Sequence, residues 1–227
     1  MPAVHLQDVT FSYERNAPLL RIDELLIDEG ERVFLYGPSG SGKTTLLGLI
    51  AGVLGADTGS VRVLEKDLSR LSPSARDRHR GSEMGYIFQS FNLIPYLSVS
   101  ENIALPCQVH AGRMKRITAS TLDGEVSRIA RRLDLGGFLH RPVTKLSTGQ
   151  QQRVAIARAV IGAPRLVIAD EPTSSLDRDR QESFLRLLIE VCNEASATLL
   201  FVSHDSSLMS RFERHISVPE INRVRTC

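Results

Sequence analysis

Two short stretches of this chain carry side chains suited to phosphate chemistry. The first is GPSGSGKT, which comprises Gly37, Pro38, Ser39, Gly40, Ser41, Gly42, Lys43 and Thr44, with Thr45 directly after. It matches the G-x-x-x-x-G-K-[ST] pattern of phosphate-binding loops. Glycines let a backbone bend around an anion and bring its N–H groups close. A helix opening near Gly42 would aim unsatisfied N–H groups and a positive dipole end at the same anion. Lys43 would add a point charge for the β- and γ-phosphates of a nucleotide, which makes it a catalytic candidate too. The Thr44 hydroxyl suits Mg2+, a hard ion that prefers oxygen ligands. The second stretch is RLVIADEP, Arg165 to Pro172, an apolar run closed by two acids. Asp170 would hold Mg2+ through its water shell, and Glu171 would polarise an attacking water as general base. A glutamate at 171 is what a hydrolysing site requires.

These groups need elements to place them. ERVFLYG reads as a buried strand that runs into the glycine-rich loop, and KTTLLGLIAGVL follows with helical periodicity. VHLQDVTFSY alternates apolar and polar residues and predicts an antiparallel strand. SVRVL, MGYIF, RLVIAD and ATLLFVS are further short β-rich runs. Helical patterns fall on SVSENIALPCQVHA, LDGEVSRIARRLD, GQQQRVAIARAVIG and DRDRQESFLRLLIEVCNEA. The late alternation of strand and helix predicts an α/β core with a mixed or parallel sheet and an N-terminal antiparallel β part. From about Phe91 to Arg141 there are helix signals and no strand, as in a helical insertion. The expected organisation is a single domain over 1–227, with 1–90 and 160–227 as the core and 91–159 as a helical subdomain.

Composition narrows the function classes. Hydrophobic residues make up 42% and charged residues 24%, the balance of a folded globular chain. Net charge is +2, from 28 Lys and Arg against 26 Asp and Glu. Bulk charge therefore does not point to nucleic acid as a partner. Cys107, Cys192 and Cys227 are odd in number and widely spaced, so no disulfide framework is expected and a reducing compartment is the plain reading. The N-terminal MPAVHLQDVTFSYERN has neither the basic start nor the apolar run of a signal peptide. No apolar stretch approaches the roughly 20 residues that span a bilayer. If a membrane matters, another chain must supply the span.

LSTGQQQ, Leu146 to Gln152, stands before RVAIARAV and resembles the ABC signature LSGGQ with the helix that follows it. PTSSLD, Pro172 to Asp177, resembles that family's D-loop. Gln89 ends the GYIFQ strand as the Q-loop glutamine does, and His204 follows LLFVS as the H-loop histidine does. Tyr13 precedes the phosphate loop where the family places an adenine-stacking aromatic. The resemblance to ABC transporter ATPases runs from about Val4 to about Arg214. It implies a fold, an ABC nucleotide-binding domain, and an activity, ATP hydrolysis. It also implies a homodimer that closes head to tail on two ATP molecules, the phosphate loop of one copy facing the signature of the other. Ser147 and the Gly149 N–H would then reach the γ-phosphate across the interface, with Gln150 beside them among the nucleotide-binding residues. His204 would help place the water beside Glu171, Gln89 would touch Mg2+ or that water, and Asp177 would couple the two sites. Position 148 is Thr where the family usually has Gly. The expectation is a tolerated change with the side chain turned away from phosphate, the alternative being a detuned ATPase.

SFNLIPYLSVSENIALP, Ser90 to Pro106, resembles the same stretch of LolD/MacB-like ATPases, of lipoprotein release and macrolide export. That implies a separate MacB/FtsX-like membrane permease, docked near Gln89–Leu97, at the cytoplasmic face of the inner membrane. The cargo would be lipoprotein, lipid, peptide or drug. Phe91, Leu93, Ile94, Tyr96 and Leu97 form an apolar set expected to be exposed for that partner, simple packing of the helical insertion being the other reading. Two other functions stay open: a soluble ABC ATPase acting on nucleic acid or ribosome, and the ATPase of an amino-acid-type importer. The tail ERHISVPEINRVRTC departs from the strand-plus-glycine ending of many such subunits, with no physical reason visible in its residues.

Overall fold

The computed structural model describes residues 1–14, 17–174 and 176–224. Ser175 of the PTSSLD motif and Cys227 of the three cysteines lie outside the described residues, as do Arg15, Asn16, Arg225 and Thr226. In chain order the elements are β1 (Pro2–Glu14), β2 (Ala17–Asp28), β3 (Arg32–Tyr36), α1 (Lys43–Ile50), β4 (Thr58–Val63), β5 (Lys66–Asp67), α2 (Pro73–Glu83) and β6 (Met84–Ile87). Then come α3 (Val99–Val109), α4 (Ala111–Met114), α5 (Leu122–Arg132), α6 (Thr148–Val160), β7 (Leu166–Asp170), α7 (Arg178–Glu194), β8 (Thr198–Val202), β9 (Arg214–Ser217) and α8 (Val218–Ile221). The fold is α/β, with an N-terminal antiparallel sheet and parallel strands, as expected. Two compact units are distinguished: Met1–Arg80 with Thr198–Cys227, and Gly81–Ala197.

In the first unit, β2, β1, β4 and β5 form an antiparallel sheet in that order. Its inward face shows why the alternation in the N-terminal sequence is imperfect. Val4 and Leu6 are buried at even positions, Val9 and Phe11 at odd ones. The parity slips at Asp8, whose φ is 52°, and the β1–β4 register shifts between Gln7 and Thr10. This is a bulge, one extra residue that re-aims every side chain beyond it. It also dictates a glycine opposite. Gly59 has φ 83°, and a Cβ there would stand 2.3 Å from the Asp8 carbonyl oxygen.

The same unit holds a parallel trio, with β3 between β8 and β9. Thr198 to Val202 is buried at every position, the continuous apolar run of a strand covered on both faces. Phe34 of β3, Phe201 of β8 and Phe212 cluster with ring centroids 5.3–6.0 Å apart. They hold the strands in register at the level of the loops that follow.

In the second unit β6 pairs in parallel with β7, and α3, α5 and α6 pack together. Asn102 of α3 is fully buried, and its side chain is wholly engaged. Its Oδ1 accepts from the Ile94 amide at 2.8 Å, and its Nδ2 donates to the carbonyls of Ile94, Leu97 and Ser98 at 3.0–3.3 Å. A single asparagine thereby shapes the 94–98 turn. Arg113 is also buried, 2% exposed, and donates to the carbonyls of Gly81, Met84, Ala159 and Ile161. It ties the C-terminal end of α6 to the start of β6. No helix among the described residues is long and apolar enough to cross a membrane.

Candidate functional site

The glycine-rich loop leaves β3 in the first unit. Gly40 has φ 81° and Gly42 φ 94°, values that favour glycine; Gly42 is one of the motif's two fixed glycines, and Gly40 stands at a position the motif leaves open. A Cβ on Gly42 would meet Leu20 of β2 at 2.6 Å. Helix α1 begins at Lys43. No side chain caps it, and no acidic residue occupies its first turn. Its first N–H groups and dipole are thus left for an anion. Lys43 Nζ folds back to donate to the carbonyls of Gly37 at 2.7 Å and Pro38 at 3.0 Å. Thr44 is exposed, Thr45 is buried, and the Thr45 hydroxyl lies 3.3 Å from the Tyr13 hydroxyl. Tyr13 itself is 67% exposed, an aromatic face open to solvent and held edge-on by Phe11 at 4.9 Å.

His204 stands in the same unit, exposed, two residues beyond the end of β8. The register pairs Leu35 with Val202, and the Ser203 amide donates to the Leu35 carbonyl at 3.2 Å. His204 and Gly37 therefore leave the trio at the same edge, the carboxyl ends of parallel strands where α/β proteins bind ligands.

The second unit repeats this arrangement. Ile87 of β6 pairs with Ala169 of β7, so Gln89 and Glu171 emerge side by side, two residues beyond. Asp170 terminates a strand whose first four residues are buried. The Tyr86 hydroxyl donates to Asp170 Oδ2 at 3.5 Å. Burial first, and the Asp170 charge second, hold the Tyr86 proton well above the usual phenol range. Glu171 has φ 49°, a left-handed backbone that costs a non-glycine residue of order 1 kcal/mol. Such strain collects at functional sites. Gln89 Nε2 donates to Ser174 Oγ at 3.0 Å, which joins the GYIFQ strand end to the segment after Glu171. Asp177 caps α7, its Oδ1 accepting from the Arg180 amide at 3.0 Å, a structural duty its motif does not announce.

Helix α6 opens with a capping box. Ser147 Oγ accepts from the Gln150 amide at 3.3 Å, and Gln150 Oε1 accepts from the Ser147 amide at 2.9 Å. Ser147 and Thr148 are exposed and Gly149 is half-buried. Thr148 sits at the first helical position and is not among the positive-φ residues. Its β-branch meets no steric penalty there, so this backbone does not need the family's usual glycine.

Of the apolar set Phe91 to Leu97, Phe91 is core at 6% exposure, Leu93, Ile94 and Leu97 are half-buried, and Tyr96 alone is open at 83%. The expected exposure fails because the loop folds inward on Asn102 and Arg158. Arg158 of α6 lies buried and donates to the carbonyls of Asn92 at 2.7 Å and Phe91 at 2.5 Å. Both acceptor residues have positive φ, 44° and 58°. Burial pulls the Arg158 guanidinium below its ordinary range. Sequence reasoning passed over Tyr86, Asn102 and Arg158. The one signal for Arg158 was a charge standing inside the apolar run VAIARAV.

Hard oxygen donors suited to Mg2+ are present in the Thr44 hydroxyl and the Asp170 carboxylate, one in each unit. Among the described residues no cluster of three or more His, Cys, Asp or Glu could hold a metal. Mg2+ commonly uses one or two carboxylates with substrate phosphate, and each of these two groups, taken by itself, is an oxygen donor of that kind.

The ABC transporter family profile matches residues 20–174. The lipoprotein-releasing system ATP-binding protein LolD of Anaeromyxobacter dehalogenans is 42% identical over 96% of this chain and 90% of its own length. The macrolide export ATP-binding/permease protein MacB of Syntrophobacter fumaroxidans is 36% identical over 96% of this chain, which spans 30% of that protein. Among solved structures, the dimeric post-hydrolysis state of the ATP-binding cassette MJ0796, bound to ADP and Pi, superimposes with TM-score 0.79 at 32% identity. That match covers 94% of this chain and 93% of the other. With the profile matched over more than half of its residues and LolD matched along nearly the full length of both chains, the chain belongs to the ABC transporter family as an ATP-binding subunit of the LolD/MacB type.

Proposed function

We propose that two copies of this chain close on two ATP molecules and drive a separate MacB/FtsX-like permease at the cytoplasmic face of the inner membrane. The chemistry is ATP hydrolysis to ADP and phosphate. The observation that carries the transport reading is the likeness to the LolD sequence along nearly the full length of both chains. Extraction or export of lipoprotein, lipid, peptide or drug is the work such a pair performs. The whole chain acts as one nucleotide-binding domain, with 1–90 and 160–227 as its core and 91–159 as its helical part.

In this reading the N–H groups of Ser39 to Thr45 wrap the phosphates, and Lys43 leaves its two carbonyl partners to neutralise them. Tyr13 stacks the base. Thr44, Asp170 and Gln89 would hold Mg2+, which supplies charge neutralisation at the β- and γ-phosphates when bound. Glu171 takes the proton of the attacking water, and His204 orients that water at the γ-phosphate. Ser147, Gly149 and Gln150 of the second copy close the site, with Asp177 linking the two. The permease seats beside Gln89–Leu97, where Tyr96 stands open.

Glu171→Gln tests the chemistry. It should keep ATP binding, accumulate a dimer in size-exclusion chromatography with light scattering, and lose at least about a hundredfold in turnover. Near-normal hydrolysis would remove Glu171 from its role. Purification of the chain from membranes, with identification of the attached protein, tests the partner. Recovery without any membrane-spanning protein under every nucleotide condition would refute it.

A further inference from the structure

The segment after β9 lies against the back of the phosphate loop. The reason begins in the register. β9 runs parallel to β3 with Ser217 opposite Tyr36, so both strands leave the same edge together. β3 continues into Gly37, and β9 continues into α8. Pro219 occupies the first turn of α8, where a missing N–H costs nothing. Its Cδ lies 3.0 Å from the point where a Cβ on Gly37 would stand, with Ser41 Oγ on the other side at 2.6 Å. The first glycine of the motif is therefore hemmed in by the tail as well as by its own loop.

The tail is clamped in that position. Asn222 Oδ1 accepts from the Arg21 amide at 2.9 Å and the Val224 amide at 3.1 Å, and its Nδ2 donates to the Leu19 carbonyl at 3.0 Å. The Arg223 amide donates to the Arg21 carbonyl at 2.8 Å, and its guanidinium pairs with Asp23 at 2.8 Å. The clamped strand is β2, whose Leu20 fills the space beside Gly42. Both ends of the phosphate loop are thus backed by one connected piece. Pro219 stands behind Gly37, Leu20 behind Gly42, and Asn222 ties the two supports together. Between them an open cavity of about 560 Å³ is lined in part by Pro38, Ser39, Gly40 and Ser41. Pro219 and Asn222 line the same cavity, so the tail faces the middle of the loop across open space and touches it at its first glycine.

We propose that Pro219 and Asn222 are positioning residues for ATP binding, which hold the phosphate loop in its anion-ready shape from behind. Neither touches nucleotide in this scheme. The proposal rests on the reading of Gly37–Thr45 as the phosphate site. Apparent affinity falls by the fraction of time a site is competent. A loop competent about one-tenth of the time without its wall raises the KM for ATP about tenfold and leaves kcat nearly unchanged.

The test uses the full chain with ATP as probe: KM, kcat and thermal midpoint for the wild type, Pro219→Ala, Asn222→Ala and Lys43→Ala. Pro219→Ala should raise KM about three- to tenfold, with kcat within about twofold and a midpoint lowered only slightly, because it deletes a contact and the ring's restraint on the unfolded chain but no hydrogen bond. Asn222→Ala should show the same split with a lowered midpoint. The double variant should equal Asn222→Ala alone, since one change already frees the wall. Unchanged KM in Pro219→Ala and Asn222→Ala, while Lys43→Ala loses ATP binding, overturns the positioning role alone. Retention of ATP binding by Lys43→Ala overturns the phosphate-site reading on which it rests. A fall in kcat that accompanies a lowered midpoint, with KM fixed, means general destabilisation and also overturns the proposal.

Discussion

Replacing Arg158 with Met removes a buried guanidinium and keeps most of its aliphatic stem. Arg158 donates to the Asn92 and Phe91 carbonyls at 2.7 and 2.5 Å. Hydrogen bonds from a charged donor contribute about 1.5–3 kcal/mol each, and a carbonyl left buried without a donor costs about 1–3 kcal/mol. Against this stands the desolvation of the guanidinium, visible as its lowered pKa, which Met does not incur. The balance is a net loss of roughly 2–4 kcal/mol. That is a large part of a typical 5–15 kcal/mol total, but leaves a folded chain. The loss should also be local. Phe91 and Asn92 are held at positive φ at about 1 kcal/mol each, and without Arg158 that strain favours opening of the loop. Urea unfolding should show a lower midpoint at unchanged slope. Amide exchange should accelerate over Gln89–Leu97 well beyond the global shift, beginning at Phe91 and Asn92, whose amides are bonded only to Phe88 and Ser90 carbonyls in the same turn. Arg158→Lys, with one donor group in place of a fork, should fall between. A stability change under about 0.5 kcal/mol, or faster exchange spread evenly over the chain, would refute the assignment of Arg158 as the clamp of this loop.

Thr148→Gly should leave ATP turnover within about twofold, because Thr148 already sits in helical backbone at the first position of α6; a rise of tenfold or more would show that Thr148 detunes the site. Tyr86 is predicted to govern alkaline stability. Its raised pKa means that the folded state holds the proton more tightly, so its contribution is intact below about pH 10 and is lost as pH climbs through the folded value. Tyr86→Phe should flatten the fall in urea midpoint between about pH 9 and 11, and parallel curves for the two proteins would exclude it as the cause. Cys192 is buried and its thiol is pushed up to about 12, so iodoacetamide should label it only in denaturant; labelling of the native chain at neutral pH would contradict this burial.

Much of the site could be read from residue order because its backbone requirements are local. Gly40 and Gly42 need positive φ, Lys43 must open a helix, and Asp170 must end a strand, and each requirement leaves a mark within a few residues. The strands that flank these motifs were legible for the same reason, as continuous apolar runs. What stayed hidden depends on partners far along the chain. β2 carries no clean alternation, since Leu19 to Ile27 serves one face through a hairpin while also receiving Asn222 from the opposite end of the sequence. α2 has no buried residue and hence no apolar stripe to betray it. The tail gave no account of itself because its logic lies in Arg21, Leu19 and Gly37. The exposure expected for Phe91 failed because the two side chains that fold its loop inward, Asn102 and Arg158, are polar residues whose burial nothing in their own helices announces.

The two helix N-termini at the heart of the proposed sandwich are built differently, and the difference suits their tasks. α1 is left uncapped by any side chain, so its first amides have no intrahelical partner and wait for phosphate. α6 is capped by its own Ser147–Gln150 box, which makes it stable without a ligand. Capping does not close it to an anion. A serine hydroxyl has two lone pairs and one proton. Ser147 uses one lone pair for the Gln150 amide, which leaves the proton free to donate outward. Gln150 returns only its oxygen to Ser147, so the capping box leaves its side-chain amide protons unused. The capping box therefore keeps side-chain donors that its own two bonds do not use. In a dimer closed on ATP, their partner would be the γ-phosphate held by α1 of the other copy. The two N-termini therefore differ in what they offer an anion: α1 its unbonded backbone amides, α6 the side-chain donors of its capping box.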